Sequence, residues 1–329
     1  MRNFHSILGS DIEGFLAVRK TVLSDSAMKH DACYLAAFDT YLADIGLREK
    51  EISEIVIYGW QKTLTGKTSS KANAIIVIRL FIRYLHTLGI VAHTPIIPKV
   101  ADDYVPYIFS DDELERIFNE ADNIKVTGTQ PNPQIKIAFP MILRLLYGCG
   151  LRIGETLALQ MKDVDLEGGV LTLYHTKNEK QRMVPMSLSL TEILRRYCLA
   201  VGIIGVPTAL LFPNADHSTP MSVRSVRNKF DVILKKLGMK PPRGTRYKRD
   251  RGPCQHCFRH VFVFKSFAQA QRNGQDIDDS VPFLSIYLGH DSLQETEKYL
   301  KFSSEMFPDA LELFDSYAGT VFPEVAYEE

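Results

Sequence analysis

The stretch GGVLTLYHTKNEKQRMVPMS, residues 168–187, decides the fold class of the second half of this chain. Apolar and polar side chains alternate over Val170–Tyr174, the chain turns near Asn178, and a short apolar run returns through Met183–Pro185. A period of two on both sides of a polar turn predicts a β-hairpin. The flanking segments instead repeat apolar residues every three or four positions, which predicts helices. We therefore expect a mainly α fold with a small β-hairpin or sheet, of the α+β class.

The first 95 residues predict a small all-helical domain. Apolar residues recur at helical spacing in YLAAFDTYLADIG (34–46) and in KANAIIVIRLFIRYLHTLG (71–89). Each segment ends at a glycine, which commonly follows the last turn of a helix. The second segment interleaves three basic residues with its apolar ones: Lys71, Arg79 and Arg83.

A segment with several prolines separates this domain from the rest of the chain. Pro95, Pro98 and Pro106 fall in or beside residues 96–108, and proline interrupts helices and restricts the residue before it. We interpret 96–108 as a linker. Ser110 and Glu113 have the spacing of a capping box, so a helix is expected to begin there. The remaining boundaries are a second domain at 109–302 and a C-terminal tail at 303–329.

Composition favours a cytoplasmic protein. No apolar run approaches the roughly 20 residues of a membrane span, and the N-terminus lacks the apolar core of a signal peptide. Five cysteines are few and odd in number, which argues against a disulfide framework. We expect no membrane association and no disulfides.

The net charge of zero hides two charged blocks. Residues 235–265 contain ten Lys and Arg against one acid, or +9, whereas residues 303–329 contain seven acids and no Lys or Arg, or −7. A basic stripe is the electrostatic footprint of phosphate binding, and a solvated loop is the alternative. The candidate DNA contacts in this block are Arg243, Arg246, Lys248 and Arg249.

Six polar residues in largely apolar surroundings are candidates for chemistry: Arg152, Lys177, His256, Arg259, His290 and Tyr299. Each also has a structural explanation. Arg152 can pair with Glu155 three residues on, and Lys177 can sit in a solvated turn. His256 and Arg259 share a helix face, while His260 either joins them or packs in the core.

Together these residue types suit attack on an anionic phosphate by a phenol. A free phenol has a pKa near 10, so neighbouring cations or a base must favour its oxyanion. Arginines bind two phosphate oxygens in fork geometry, and a lysine can protonate a departing alkoxide. Cys254 and Cys257 beside the histidines raise a zinc alternative. A second CxxC pair is missing from the sequence, so we expect no metal.

The order and spacing of these motifs resemble the tyrosine recombinase family, of the phage integrase or Xer type. The matching pieces are GLRIGE (150–155), TKNEKQRMVPM (176–186), HCFRH (256–260), LGH (288–290) and the tyrosine nine residues beyond it. The resemblance covers about residues 105–305. Residues 1–95 look like the family's helical core-binding domain, which would contact DNA through Lys71, Arg79 and Arg83. The two domains would form a clamp around DNA.

The resemblance implies a role for each site residue. Tyr299 would attack a DNA phosphate, leaving a 3′-phosphotyrosyl bond and a free 5′-hydroxyl. Lys177 would be the general acid for that leaving oxygen, with Lys180 as the alternative. Arg152 and Arg259 would clamp the phosphate.

The remaining implied roles concern the histidines and Glu155. His256 would act as acid or base near Tyr299, and His290 would hydrogen-bond the phosphate. Glu155 would support Arg152 and His256. No metal, cofactor or ATP would be needed, because the covalent link stores the phosphodiester.

The resemblance also implies a site-specific recombinase that acts as a homotetramer on two double-stranded DNA molecules, with a monomer as an option for the free protein. The amphipathic tail segment MFPDALELFDSYAG (306–319) is expected to dock on a neighbouring protomer. We expect an enzyme for the integration or excision of a mobile element, or for the resolution of DNA, acting at the nucleoid. A type IB topoisomerase-like nicking and closing enzyme, and a DNA-binding module without chemistry, are the alternatives.

Overall fold

A computed structural model describes residues 3–101, 106–125, 134–174, 181–240, 252–297 and 299. The chain divides into two compact units, residues 1–103 and 104–329. The division falls within the predicted 96–108 linker, and the predicted domain boundaries remain predictions. Several predicted features lie outside the described residues: Lys177, Lys180, Arg243, Arg246, Lys248, Arg249 and the tail 303–329.

The first unit is helical in its described part, apart from an isolated β-bridge between Ile52 and Ala92. Its helices are α1 (Gly9–Lys20), α2 (Asp25–Asp44), α3 (Glu54–Thr63) and α4 (Thr68–Thr87). Apolar residues of α4 fill the centre, where Phe81 packs on Phe15 with ring centroids 5.5 Å apart. Phe38 meets Trp60 edge-on at 5.1 Å. These contacts explain the helical spacing of apolar residues along the first 95 positions.

The second unit carries the remaining helices. They are α5 (Asp111–Asp122), α6 (Ile135–Gly148), α7 (Ile153–Ala158), α8 (Leu188–Ala200), α9 (Val223–Lys236), α10 (Cys257–Arg272), α11 (Ile277–Leu288) and α12 (Leu293–Glu297). The predicted capping box at the start of α5 is present, because Ser110 and Glu113 exchange hydrogen bonds between side chain and backbone.

The predicted hairpin is confirmed. Strands β2 (Val170–Leu173) and β3 (Arg182–Pro185) pair antiparallel, with Leu171 opposite Val184. A two-residue strand β1 (Val164–Asp165) adds to β2 on the other edge, giving a three-stranded sheet of order β1-β2-β3. Leu171 and Val184 are fully buried, so one face of the sheet packs on the helical core. The mainly α fold with a small sheet is thus confirmed.

Helix α10 is buried on two sides. Phe258 packs against Phe230 on one side, with ring centroids 5.5 Å apart. Val263 and Phe267 face a second cluster that includes Leu288 at the end of α11. Since both sides are packed, the polar residues of the first turns of α10 are held in fixed positions. No described helix is both long enough and apolar enough to cross a membrane.

Candidate active site

The C-terminal end of α11 gathers three arginines. The last carbonyls of a helix lack intrahelical partners and carry the negative end of its dipole, so they attract cations. Three guanidinium groups donate to these carbonyls: Arg182 Nε to Tyr287 O at 2.9 Å, Arg259 Nη2 to Leu288 O at 2.8 Å, and Arg152 Nη2 to Gly289 O at 3.1 Å. The helix end therefore places three cations from three different elements side by side.

Two glycines with left-handed backbone shape this end of the site. Gly289 caps α11 at φ 65°, and Gly150 precedes α7 at φ 60°. The Gly150 carbonyl accepts from Arg259 Nη1 at 2.7 Å. A Cβ at Gly150 would lie 2.5 Å from the Phe262 ring, and one at Gly289 would lie 2.8 Å from Arg182 Nη1. Both positions require glycine for conformation and for space.

Glu155 binds two of the arginines. Its carboxylate accepts from Arg182 Nη1 at 3.0 Å and Nη2 at 2.8 Å, and from Arg152 Nη1 at 3.0 Å and backbone N at 2.9 Å. Burial by itself would raise the pKa of Glu155, but the hydrogen bonds and charges of Arg182 and Arg152 outweigh it and lower the pKa below its usual value. The carboxylate is therefore ionised at neutral pH. The predicted pairing of Glu155 with Arg152 is present.

Arg182 was not among the predicted site residues. It begins strand β3, two residues before Val184, so the two side chains share the face of the strand that packs on the core. A charged residue at a core-facing position of a strand was the signal that could have found it, because such a charge requires a partner. Its side chain is 8% exposed.

Arg259 lies in the first turn of α10 and is buried, with 1% of its surface exposed. Burial first, and then the charge of Arg152, lower its pKa to about 10, so it stays charged at neutral pH. Its Nη2 lies 2.9 Å from His290 Nε2. A guanidinium can only donate, so His290 Nε2 is the acceptor and carries no proton.

His290 is therefore neutral, with its proton on Nδ1. That nitrogen lies 2.6 Å from Oγ1 of Thr296, a fully buried residue of α12. Burial first, and then the charges of Arg259 and Arg152, lower the pKa of His290 to about 3. The imidazole can thus accept from an arginine at any pH near neutrality.

Tyr299 is 7% exposed and lies among three aromatic neighbours. Its ring is parallel to that of His290, with centroids 6.4 Å apart, and meets Phe264 edge-on at 5.9 Å. Its hydroxyl lies 3.1 Å from Nδ1 of His260. Burial raises the pKa of Tyr299, and the positive charge of Arg259 opposes that rise.

Five of the six predicted catalytic residues line one cavity of about 270 Å³. It is bounded by Arg152, His256, Arg259, His290, Asp291, Glu295 and Tyr299. The sixth, Lys177, belongs to the hairpin tip beyond the described residues. A larger cavity of about 720 Å³ beside α9 is lined by none of the six. The structure thus brings together residues from positions 152 to 299 around a space that combines cations, imidazoles and a phenol.

His256 stands on the open side of this cavity and is exposed. Its ring meets that of His260 edge-on, with centroids 4.6 Å apart. The two histidines are one turn apart in sequence, and it is His260 that lies at hydrogen-bonding distance from the tyrosine hydroxyl. The role predicted for His256 as acid or base remains a prediction.

The predicted DNA contacts of the first unit all belong to α4. Arg83 is exposed, Lys71 is half-buried, and Arg79 donates to the carbonyl of Pro95 at 2.5 Å. Over the residues that the structure describes, no group of three or more His, Cys, Asp or Glu side chains is arranged to hold a metal ion.

Comparison with known proteins decides the family. The sequence pattern of the Phage integrase family matches residues 108–306, more than half of the chain and all the described site residues. The chain belongs to the phage integrase family. It is a tyrosine recombinase, an enzyme that transfers DNA strands in site-specific recombination.

Curated relatives of this tyrosine recombinase carry recombinase names. A putative integrase/recombinase y4rB of Sinorhizobium fredii is 26% identical over 79% of this chain and 82% of that protein. Tyrosine recombinase XerC of Chlorobaculum parvum is 28% identical over 70% of this chain and 68% of its own length. These relatives do not favour the topoisomerase alternative.

Solved structures share the fold. XerH site-specific recombinase bound to difH substrate matches with a TM-score of 0.67 and 18% identity, covering 93% of this chain and 95% of that one. A lambda integrase dimer bound to a core site matches with a TM-score of 0.64 and 16% identity, covering 88% and 94%. At these identities the likeness supports the fold alone.

Proposed function

We propose that Tyr299 is the nucleophile of this recombinase and that the cavity it lines binds the scissile phosphate of double-stranded DNA. The observation that carries the proposal is the placement of the Tyr299 phenol in the same 270 Å³ cavity as Arg152 and Arg259. The phenol oxygen forms a bond to phosphorus, the bond from phosphorus to the 5′ oxygen breaks, and a 3′-phosphotyrosyl link results. Attack by the freed 5′-hydroxyl of another strand reverses the step.

Arg152 and Arg259 neutralise the phosphate in this proposal. Both are held by backbone carbonyls and, for Arg152, by Glu155, so their donors stay oriented before DNA arrives. Preorganised donors stabilise the extra negative charge of the transition state without the cost of reorganising solvent. They also lower the cost of forming phenolate character at Tyr299.

His290 has two hydrogen-bonding roles in this proposal, one without DNA and one with the phosphate bound. Without DNA its Nε2 accepts from Arg259 and orients that side chain. A bound phosphate would favour the other tautomer, in which Nε2 carries the proton and Thr296 Oγ1 donates to Nδ1. The Thr296 hydroxyl can both donate and accept, so it supports both states.

The leaving oxygen needs a proton. We assign this role to Lys177, with Lys180 as the alternative. His256 would act as acid or base near Tyr299. The described ends of the hairpin support the first assignment, because Arg182 at the start of β3 is bound to Glu155 and to the carbonyl of Tyr287. The strand that follows the hairpin tip is thereby fixed to the arginine cluster.

The proposed assembly is a homotetramer on two duplexes, with a monomer as the free form. The helical first unit would contact DNA through Lys71, Arg79 and Arg83, and both units would clamp the duplex. The basic residues Arg243, Arg246, Lys248 and Arg249 would bind phosphates, and the segment 306–319 would dock on a neighbour. We place the enzyme in the cytoplasm at the nucleoid, serving a mobile element, without metal or ATP.

Covalent capture tests the nucleophile. A pool of nicked duplexes with randomised sequence is incubated with the protein, and SDS-resistant adducts are recovered and sequenced to obtain a cleavable duplex. We expect Tyr299→Phe to abolish the adduct on that duplex while binding persists, since only the hydroxyl is removed. An adduct of undiminished yield in this variant would refute the proposal.

A further inference from the structure

The hydroxyl of Tyr299 has a protein partner that the predicted roles leave out. His260 lies next to Arg259 in the first turns of α10, and it is 5% exposed. Its Nδ1 is 3.1 Å from the Tyr299 oxygen, across 39 residues of sequence. A buried imidazole is costly unless its nitrogens are hydrogen-bonded, so this contact serves both side chains.

The direction of this hydrogen bond follows from the other group at the hydroxyl. The positive charge of Arg259 acts on the phenol of Tyr299 and favours negative charge on its oxygen. A nearby cation attracts the lone pairs of the phenol oxygen and repels its hydrogen, so the hydroxyl directs its hydrogen toward His260 Nδ1. His260 can accept it because burial, and then His256 and Arg259, lower its pKa to about 3 and keep it neutral.

Tyr299 also has ring contacts. The parallel ring of His290 and the edge contact of Phe264 fix the plane of the phenol. Flat packing of this kind allows a ring to slide within its plane. The hydrogen bond to His260 instead fixes how far the oxygen reaches toward the cavity.

We propose that His260 is a positioning residue for the nucleophile, whose Nδ1 accepts the hydrogen bond of Tyr299 and sets the oxygen in line with the phosphate held by Arg152 and Arg259. The inference rests on the proposed function of Tyr299. It assigns a role to a second histidine. That role differs from the role of His256, which lies on the exposed side of the cavity.

Two amide substitutions test which nitrogen matters. The side-chain amide of asparagine reaches the position of Nδ1, whereas that of glutamine reaches the position of Nε2. We expect His260→Gln to lower the single-turnover cleavage rate of the captured duplex by roughly 100-fold, as for a displaced reacting group. Its half-saturating duplex concentration should stay unchanged, because the phosphate ligands are untouched. His260→Asn should recover the rate to within about tenfold of wild type.

Equal cleavage rates for the two variants would overturn the inference, because a histidine that only fills space does not distinguish the two amides. Thermal melting of both variants checks that they fold. If either fails to fold, ¹⁵N NMR of the wild-type histidines decides instead. An unprotonated Nδ1 at His260 that shifts in Tyr299→Phe supports the inference, and a protonated Nδ1 refutes it.

The two proposals fail in different ways. A persistent adduct in Tyr299→Phe refutes the proposed nucleophile and with it the positioning role of His260. Loss of the adduct in Tyr299→Phe combined with equal rates in the two His260 variants refutes only the positioning role.

Discussion

The two sides of the active site are held by different forces. The arginine side consists of Arg152, Arg182 and Arg259, bound by Glu155 and by the terminal carbonyls of α11. The nucleophile side consists of Tyr299 with His260, His290 and Phe264, where neutral groups meet through ring contacts and single hydrogen bonds. The first side is a fixed electrostatic frame. The second holds a reactive group among neutral neighbours, so small changes there alter position more than stability.

This difference has a physical reason. Three neighbouring cations repel one another unless anions or dipoles lie between them, so the arginine side needs many strong contacts to form at all. A phenol and neutral imidazoles carry no such repulsion. They can be placed by packing, which leaves the tyrosine free to change bonding partner during the reaction.

Glu155→Ala should produce the largest loss of stability. It leaves Arg152 and the nearly buried Arg182 without their carboxylate, and removing one partner of a buried charge pair costs about 3–5 kcal/mol. Denaturant unfolding measures the change. The matched control is Glu167→Ala, which removes an exposed partner of Arg195 and should cost less than about 1 kcal/mol. Similar losses in both variants would contradict the proposed frame.

The second largest effect should come from acid, which should destabilise the nucleophile side of the site. The pKa of His260 is lowered to about 3 in the folded protein, against an ordinary value of 6.5. Between these values the unfolded chain binds more protons, so the free energy of unfolding falls as the pH falls below 6.5. From pH 7 to pH 5 this one group should remove about 2 kcal/mol.

The variant His260→Asn isolates this contribution, because asparagine does not titrate. Unfolding curves at pH 5 and pH 7 should show a pH dependence weaker than that of wild type by about 2 kcal/mol. Between pH 7 and pH 9 the free energy of unfolding should change by the same amount in the two proteins. An identical acid dependence would mean that His260 is not held neutral.

Glu295→Gln should have the smallest effect. It should change the cleavage rate rather than the free energy of unfolding. The charge of Glu295 contributes to the raised pKa of Tyr299, after the larger effect of burial. Neutralising it lowers that pKa, so the alkaline rise of the cleavage rate should shift to lower pH. Glu297→Gln, an exposed acid on the same helix, is the control. A shift of equal size in both would indicate a general charge effect.

Much of the site was predictable from residues whose signals are local. The hairpin and the capping box at Ser110 appear where the sequence predicts them. The pairing of Arg152 with Glu155 was also predictable, because it joins residues three apart. By contrast, the pairing of Arg182 with Glu155 joins a strand to a helix 27 residues away, and the spacing of the sequence contains no sign of it.

The sequence by itself determined the family, the fold class and the set of side chains available for chemistry, because periodicity, capping and motif order depend on near neighbours. Only the tertiary structure decided which of two histidines, His256 or His260, meets the tyrosine. His256 is the residue before α10, and His260 follows it by about one helical turn on nearly the same side. Which histidine contacts Tyr299 depends on how α10 packs between its two hydrophobic clusters and on where the segment after α11 brings Tyr299. The local spacing of the sequence does not reveal such long-range packing energies.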